Sequence, residues 1–384
     1  MSNISDFSTS NDTAGSFLST SYTLSQQYLR SGIFFICLIG CASNVLNMYI
    51  FRLPQMRGAL INWFLFGLAF SDLLLIISSI FLFPIPVWAE LSQNPTFIVA
   101  SSHLTVFWYP LAHTSQVCSV YLTVMVSIFR YIGVCHPFKA QTFNTPKNVK
   151  MILLGVVLFS ILFCATRWGE TRVTDGWVDV RAFRVHRAYM LVYDIVLYII
   201  IMFVFPFLVL IGVDILIGLT LRRSRSARAL MTNTNENNHK RSIAEDRRRK
   251  LSEQKERNTT IMLLVIVLVF ILCSTLPFIN NIANIFIGNA ATPPGWFTAS
   301  VELGNLLVCF NASSNFVIYL LFSTKYRELA LRLPKGGCRN SGNNTPGRLP
   351  LTLSREVSQL PRQIISREIT PLLPSQQRLS AVNI

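Results

Sequence analysis

Apolar blocks of about 20 residues or more recur along the chain, separated by polar or basic stretches. About 20 apolar helical residues cross a hydrocarbon core about 30 Å thick, whereas a soluble helix would show only an apolar stripe. The pattern predicts seven membrane spans, near Ser31–Leu53, Leu60–Val87, His103–Val134, Val149–Ala165, Tyr189–Leu221, Asn258–Ile287 and Thr298–Phe322. The expected fold class is an all-α membrane protein, a seven-helix bundle.

The segments between and beyond the blocks complete this layout. A leader, residues 1–30, is Ser/Thr/Asn-rich and expected to be disordered and extracellular. It shows no cleavable signal peptide, which leaves targeting to the first span. Residues 31–333 form the membrane domain. Within it, residues 222–257 make a basic cytoplasmic loop whose ends are expected to extend the fifth and sixth helices, with Met231–His239 flexible. After the last span, Lys325-Tyr-Arg-Glu-Leu-Ala-Leu-Arg-Leu alternates charge and apolar groups, which suits a short amphipathic helix on the inner membrane surface. Residues 334–384 read as a disordered cytoplasmic tail. In it Cys338 is either a palmitoylation site or a plain tail cysteine.

Composition agrees: 51% of the 384 residues are hydrophobic and only 14% charged, too apolar for an ordinary soluble fold. Charge sets the orientation. Of the 34 Lys+Arg, 28 fall in the first, third and fifth loops, the span ends that adjoin them and the tail, so the positive-inside rule places the N-terminus outside. The formal charge of +16 then reflects attraction to anionic membrane lipids and gives no reason to invoke nucleic acid. Two sequons, at Asn3 and Asn11, lie in the leader and are candidate glycosylation sites. All eight cysteines fall in spans or on the cytoplasmic side, so no outer disulfide is expected. The chain shows neither metalloprotease, nucleophile–base nor phosphate-loop motifs, so no enzyme activity or cofactor is expected. It also lacks the internal repeat that would suggest a transporter.

The chemistry is concentrated in polar residues at membrane depth. Asp72 lies inside an apolar span, where an ionisable group costs several kcal/mol unless it faces a partner or water. Asn44, Asn47, Ser119, Asn311 and Asn315 lie at comparable depth and can complete a polar cluster around it. Asn44 and Asn47 can equally serve as interhelical hydrogen bonds.

At this point the sequence resembles the rhodopsin-like G-protein-coupled receptors. The resemblance runs from about Ser31 to Leu333 and rests on Asn44-Val-Leu, Leu68-Ala-Phe-Ser-Asp72, Arg130-Tyr131, Pro206, Pro277 and Asn315-Phe-Val-Ile-Tyr319. Within that class Tyr109-Pro-Leu-Ala, Ser119-Val-Tyr-Leu-Thr-Val and Tyr131-Ile-Gly-Val-Cys-His-Pro-Phe-Lys look like invertebrate FMRFamide-type neuropeptide receptors. The resemblance implies an extracellular amidated peptide as ligand, and a heterotrimeric G protein and arrestin as intracellular partners. It implies Arg130, Tyr131 and Tyr319 as coupling residues and Pro206 and Pro277 as helix hinges. It also implies a sodium site at Asp72 with Ser119, Asn311, Asn315 and Asn44.

The chain departs from the pattern in several places. Phe129 stands where the family usually has the acid restraining the next arginine, and Asp214, standing where relatives often carry tyrosine, is the candidate to pair with Arg130 instead. Thr275 and Val157 replace the usual tryptophans of the sixth and fourth helices. Thr105 stands where the third helix usually has a cysteine, and Arg167–Arg187 offers none to meet it. These departures motivate an alternative, a ligand-binding seven-helix receptor with atypical, constitutive or absent G-protein signalling. A peptide ending in Arg-Phe wants carboxylates and aromatic surface. The candidates are Glu90, Glu170, Asp194 and Glu302, with Asp194 and Glu302 foremost, and each of these two has an alternative role in pairing with Arg181, Arg184 or Arg187.

Overall fold

A computed structural model of the chain describes residues 22–234, 243–287 and 294–332. Among these, seven helices are long and apolar enough to cross a membrane: Leu24–Arg52, Ile61–Ser92, Pro95–Cys135, Pro146–Gly169, Met190–Thr220, Leu264–Asn284 and Gly295–Phe322. They are called the first to seventh spans below.

Several helices overhang their apolar blocks because local chemistry, and not hydropathy, sets their ends. The first starts at Leu24 instead of Ser31, since Thr23 and Gln26 form a reciprocal capping box. The third starts at Pro95 instead of His103. Asn94 Oδ1 accepts from the Thr96 and Phe97 amides, and Pro95, which has no N–H, occupies the first turn where none is needed. In the second span the α-helix Ile61–Leu82 ends at Phe83 and resumes as Pro84–Ser92, as expected where proline removes a donor. The fifth span runs π-helical over Met190–Leu197 and Ile200–Val204, then α-helical over Phe205–Thr234. The wide turns sit directly before Pro206, where the α ladder lacks an N–H.

The helix to Thr234 includes Met231–Thr234, the start of the segment expected to be flexible, because the fifth helix continues past its apolar block; residues 235–239 lie outside the described residues. The sixth span is part of Ile243–Ile287, with Pro277 inside it. A short helix, Thr324–Arg332, follows the seventh span, and its Tyr326 is buried against Phe51 and Tyr319.

The third span packs mainly on the second and fifth, and the first on the second and seventh. Gly40 permits close approach in the second group, since a methyl there would collide with Ser313 and Ile76. Between the fourth and fifth spans lies an antiparallel hairpin, β1 (Thr171–Thr174) and β2 (Trp177–Val180), with Thr171 opposite Val180. Asp175 and Gly176 have φ of 50° and 83°, the left-handed pair that a two-residue turn needs to match strand twist. The seven described cysteines are all free.

Candidate functional site

A cavity of about 940 Å3 opens at the hairpin end of the bundle and extends to Pro277 in the sixth span. Tyr109, Trp177, Tyr198 and Phe203 give it aromatic walls, and Gln116 and Asn281 supply polar side chains. Glu90 also lines it, and makes no ion pair among the described residues. His113 presents a buried Nδ1 with no hydrogen-bond partner among the described residues. At the rim, burial raises the Tyr22 hydroxyl above its usual range despite the neighbouring Arg30.

Glu302 is spoken for. Arg30 Nε donates to its Oε1 at 2.8 Å, with Nη2 at 2.7 Å, and Asn305 Nδ2 donates to Oε2 at 3.2 Å. Glu302 is only 3% exposed, so a partner cation is expected; it comes from Arg30 of the first span and, among the described side chains, not from Arg181 or Arg184. The guanidinium of Arg30 also lies over the Tyr22 ring at 4.5 Å.

Glu170 is fully buried at the root of the hairpin. Its Oε2 accepts from Tyr109 (3.0 Å) and Arg167 Nη1 (3.1 Å), with Arg184 Nε at 3.4 Å, and its Oε1 accepts from Tyr189 (2.8 Å). Of the outer-loop arginines, Arg184 reaches this carboxylate, and the side chain of Arg187 lies outside the described residues. The hairpin surface carries a second pair, Arg172–Asp179 at 2.8 Å, which holds the Asp179 carboxyl below the usual range. For Asp194 only the backbone, within Met190–Leu197, is described.

Asp72 lies in the middle of the bundle at zero exposure. Ser119 Oγ donates to Oδ1 at 2.6 Å and Asn315 Nδ2 to Oδ2 at 2.8 Å. Asn44 is adjacent in role but not in contact: its Nδ2 donates to the carbonyls of Gly40 and Ala312, both at 3.0 Å, tying the first span to the seventh. Asn311 is not drawn to Asp72. Among the described hydrogen bonds it contributes only its carbonyl, which accepts from Ser314. No cation pairs with Asp72 among the described residues. One carboxylate beside one hydroxyl is a hard oxygen set whose single charge suits a monovalent cation, with Asp72 and Ser119 as the residues to hold it.

At the opposite end, Phe129 packs its ring on Phe64 with centroids 5.5 Å apart, filling with aromatic surface the position of the expected acid. Tyr131 bonds His136 Nε2 at 3.2 Å. Asp214 takes part in no ion pair among the described residues, so the suggested Asp214–Arg130 bridge is not made here. Tyr319 is buried edge-on against Phe51 at 5.3 Å. Thr275 turns outward, its hydroxyl donating to the Ile271 carbonyl at 2.7 Å. Val157 is also exposed on the helix surface. Asn3, Asn11 and Cys338 lie outside the described residues.

The sequence reading missed Arg30, His113 and the hairpin side chains Trp177 and Val178 as cavity walls. Only the hairpin had a local signal, Asp175-Gly176 between Thr171-Arg-Val-Thr174 and Trp177-Val-Asp-Val180.

The sequence profile described as "7 transmembrane receptor (rhodopsin family)" matches residues 43–319. The chain is 30% identical over 329 residues to the FMRFamide peptide receptor frpr-18 of Caenorhabditis elegans, covering 82% of this chain and 71% of that one. It is also 30% identical over 307 residues to the FMRFamide receptor of Drosophila melanogaster, covering 76% of this chain and about half (51%) of the fly protein. To the probable G-protein coupled receptor frpr-1 of Caenorhabditis elegans it is 27% identical over 352 residues, 82% and 84% of the two chains. With seven spans, a profile that covers most of their length and a relative matched over most of its own, the chain belongs to the rhodopsin family of seven-transmembrane receptors.

Proposed function

We propose that the chain is a plasma-membrane receptor, N-terminus outside, that binds an amidated neuropeptide of the FMRFamide type and activates a heterotrimeric G protein. The observation that carries this is the cavity. An Arg-Phe-amide terminus needs a carboxylate for its guanidinium, aromatic surface for its ring and polar groups for its amide. The cavity supplies Glu90, then Tyr109, Trp177, Tyr198 and Phe203, then Gln116, Asn281 and the orphan Nδ1 of His113. Glu302 contributes indirectly by orienting Arg30. The names of the relatives support the peptide class.

Signalling follows from differential affinity: a ligand shifts the bundle only if it binds one arrangement better than the other. The cavity reaches Pro277, so a ligand filling it touches the helix at the proline that removes a backbone hydrogen bond and favours a kink there. Arg130, Tyr131 and Tyr319 are assigned to the coupling end, with arrestin as a second partner there. Sodium at Asp72 and Ser119 would neutralise a buried charge that has no counter-ion among the described residues, and so favour the arrangement shown.

The test is expression in cells with a panel of amidated peptides, reading calcium and cyclic nucleotides beside Arg130→Ala. A response lost in Arg130→Ala supports the proposal. Peptide binding without any response in the unmodified chain would favour the non-signalling alternative that Phe129 and Asp214 suggest.

A further inference from the structure

We infer that Glu170 is a positioning residue, a non-covalent clasp that holds the β1–β2 hairpin over the cavity in place of a disulfide. Four segments converge on its carboxylate: the third span through Tyr109, the end of the fourth through Arg167, the hairpin exit through Arg184 and the start of the fifth through Tyr189. Arg167 Nη1 also donates to the Tyr109 hydroxyl at 3.3 Å, which closes a ring of bonds. The backbone joins in, the Glu170 carbonyl accepting from the Arg181 amide at 2.9 Å across the hairpin base.

Burying a carboxylate completely is unfavourable unless it is paired and its lone pairs are satisfied, and here two guanidiniums and two hydroxyls do both. What the clasp holds faces the ligand space. Trp177 and Val178 of β2 line the cavity, and the turn beyond them lies so close to the third span that a methyl on Gly176 would sit 2.9 Å from Val99. No covalent tie competes for this role among the described residues: the seven described cysteines are free, and Thr105 lines the cavity on the third span. Hairpin closure therefore depends on charge and is indifferent to reductant.

The decisive measurement is amide hydrogen exchange over residues 171–180 in the purified full chain, which needs no ligand. Glu170→Gln turns the contacts of two guanidiniums from charge-assisted to neutral and leaves the converging donors one acceptor oxygen in place of two, which is worth at least about tenfold in an opening equilibrium. Glu170→Gln should speed exchange there at least about tenfold, and the milder Tyr189→Phe, which leaves both ion pairs, by a smaller factor. Exchange in the unmodified chain should not change with reductant. Unchanged exchange in Glu170→Gln, or loosening by reductant, overturns the clasp.

The second readout rests on the peptide proposal above. At matched surface density Glu170→Gln should raise the concentration of amidated Arg-Phe peptide needed for half response at least about tenfold and leave the maximal response intact, which a general folding defect would not do. A loosened hairpin with unchanged potency overturns the positioning role. A loosened hairpin with no peptide acting on either protein leaves the clasp established by exchange and removes the peptide reading.

Discussion

Replacing Arg30 with alanine strands the carboxylate of Glu302, which is 3% exposed and keeps only Asn305 as a partner. Breaking a buried pair from one side costs about 3–5 kcal/mol, because the remaining charge is left desolvated. The reverse change, Glu302→Gln, is milder for two reasons. The amide oxygen can still accept from Arg30, so the loss is the difference between a charge-assisted and a neutral bond, about 1–1.5 kcal/mol. Arg30 is 18% exposed and lies over Tyr22, so its charge stays partly solvated. The double variant Arg30→Ala/Glu302→Gln removes the stranded charge and should recover roughly 2 kcal/mol relative to Arg30→Ala. The assay is the temperature of half-inactivation of the purified full chain at fixed scan rate, where Arg30→Ala should fall by roughly 5–10 °C, Glu302→Gln by less than half of that, and the double variant between them. Equal and additive losses would refute the account of Glu302 as a buried anion held by Arg30.

Other consequences can be checked in cells. Glu90→Gln should lower amidated-peptide potency at least about tenfold, the value of one charge-assisted contact, with maximal response unchanged; equal potency would remove Glu90 from the ligand site. Agonist affinity should fall as sodium rises and become independent of sodium in Asp72→Asn, read by radioligand binding in washed membranes; indifference of the unmodified chain would dispose of the cation. Asp214→Asn should leave basal and stimulated signalling unaltered, as expected of a carboxylate that makes no ion pair among the described residues, and a changed basal level would show that it restrains Arg130 in another arrangement. Phe129→Glu should lower basal signalling at a stability cost of about 1 kcal/mol from the lost Phe64 contact, seen as a lower inactivation temperature.

The spans were legible because the bilayer imposes one length scale on every helix, and each of the seven apolar blocks corresponds to a helix. Their ends were less legible, since Thr23, Asn94 and Pro84 act through single hydrogen bonds that a hydropathy window averages away. Asp72, Ser119 and Asn315 stood out because a polar group at membrane depth has few uses, and they do meet. Asn311 stood out equally, but it lies one helical turn before Asn315, and among the described hydrogen bonds only Asn315 reaches Asp72, a choice between two residues of one face that spacing alone does not fix. The outer carboxylates were hardest. Whether Glu90, Glu170 or Glu302 is available to a ligand depends on which arginine reaches it, and Arg30 lies 272 residues from Glu302 in the chain. The clasp at Glu170 was beyond reach for the same reason, since Tyr109 and Tyr189 carry no local sign of their partner.

The central claim, an amidated-peptide receptor coupled to a G protein, is tested most directly by agonist-stimulated guanine-nucleotide exchange in membranes expressing the chain. The account predicts concentration-dependent exchange with a peptide ending in Arg-Phe-amide, loss of that exchange in Arg130→Ala with peptide binding retained, and at least about tenfold weaker potency for the same peptide with a free C-terminal carboxylate. Exchange that never rises with any amidated peptide, or that persists undiminished in Arg130→Ala, would contradict it.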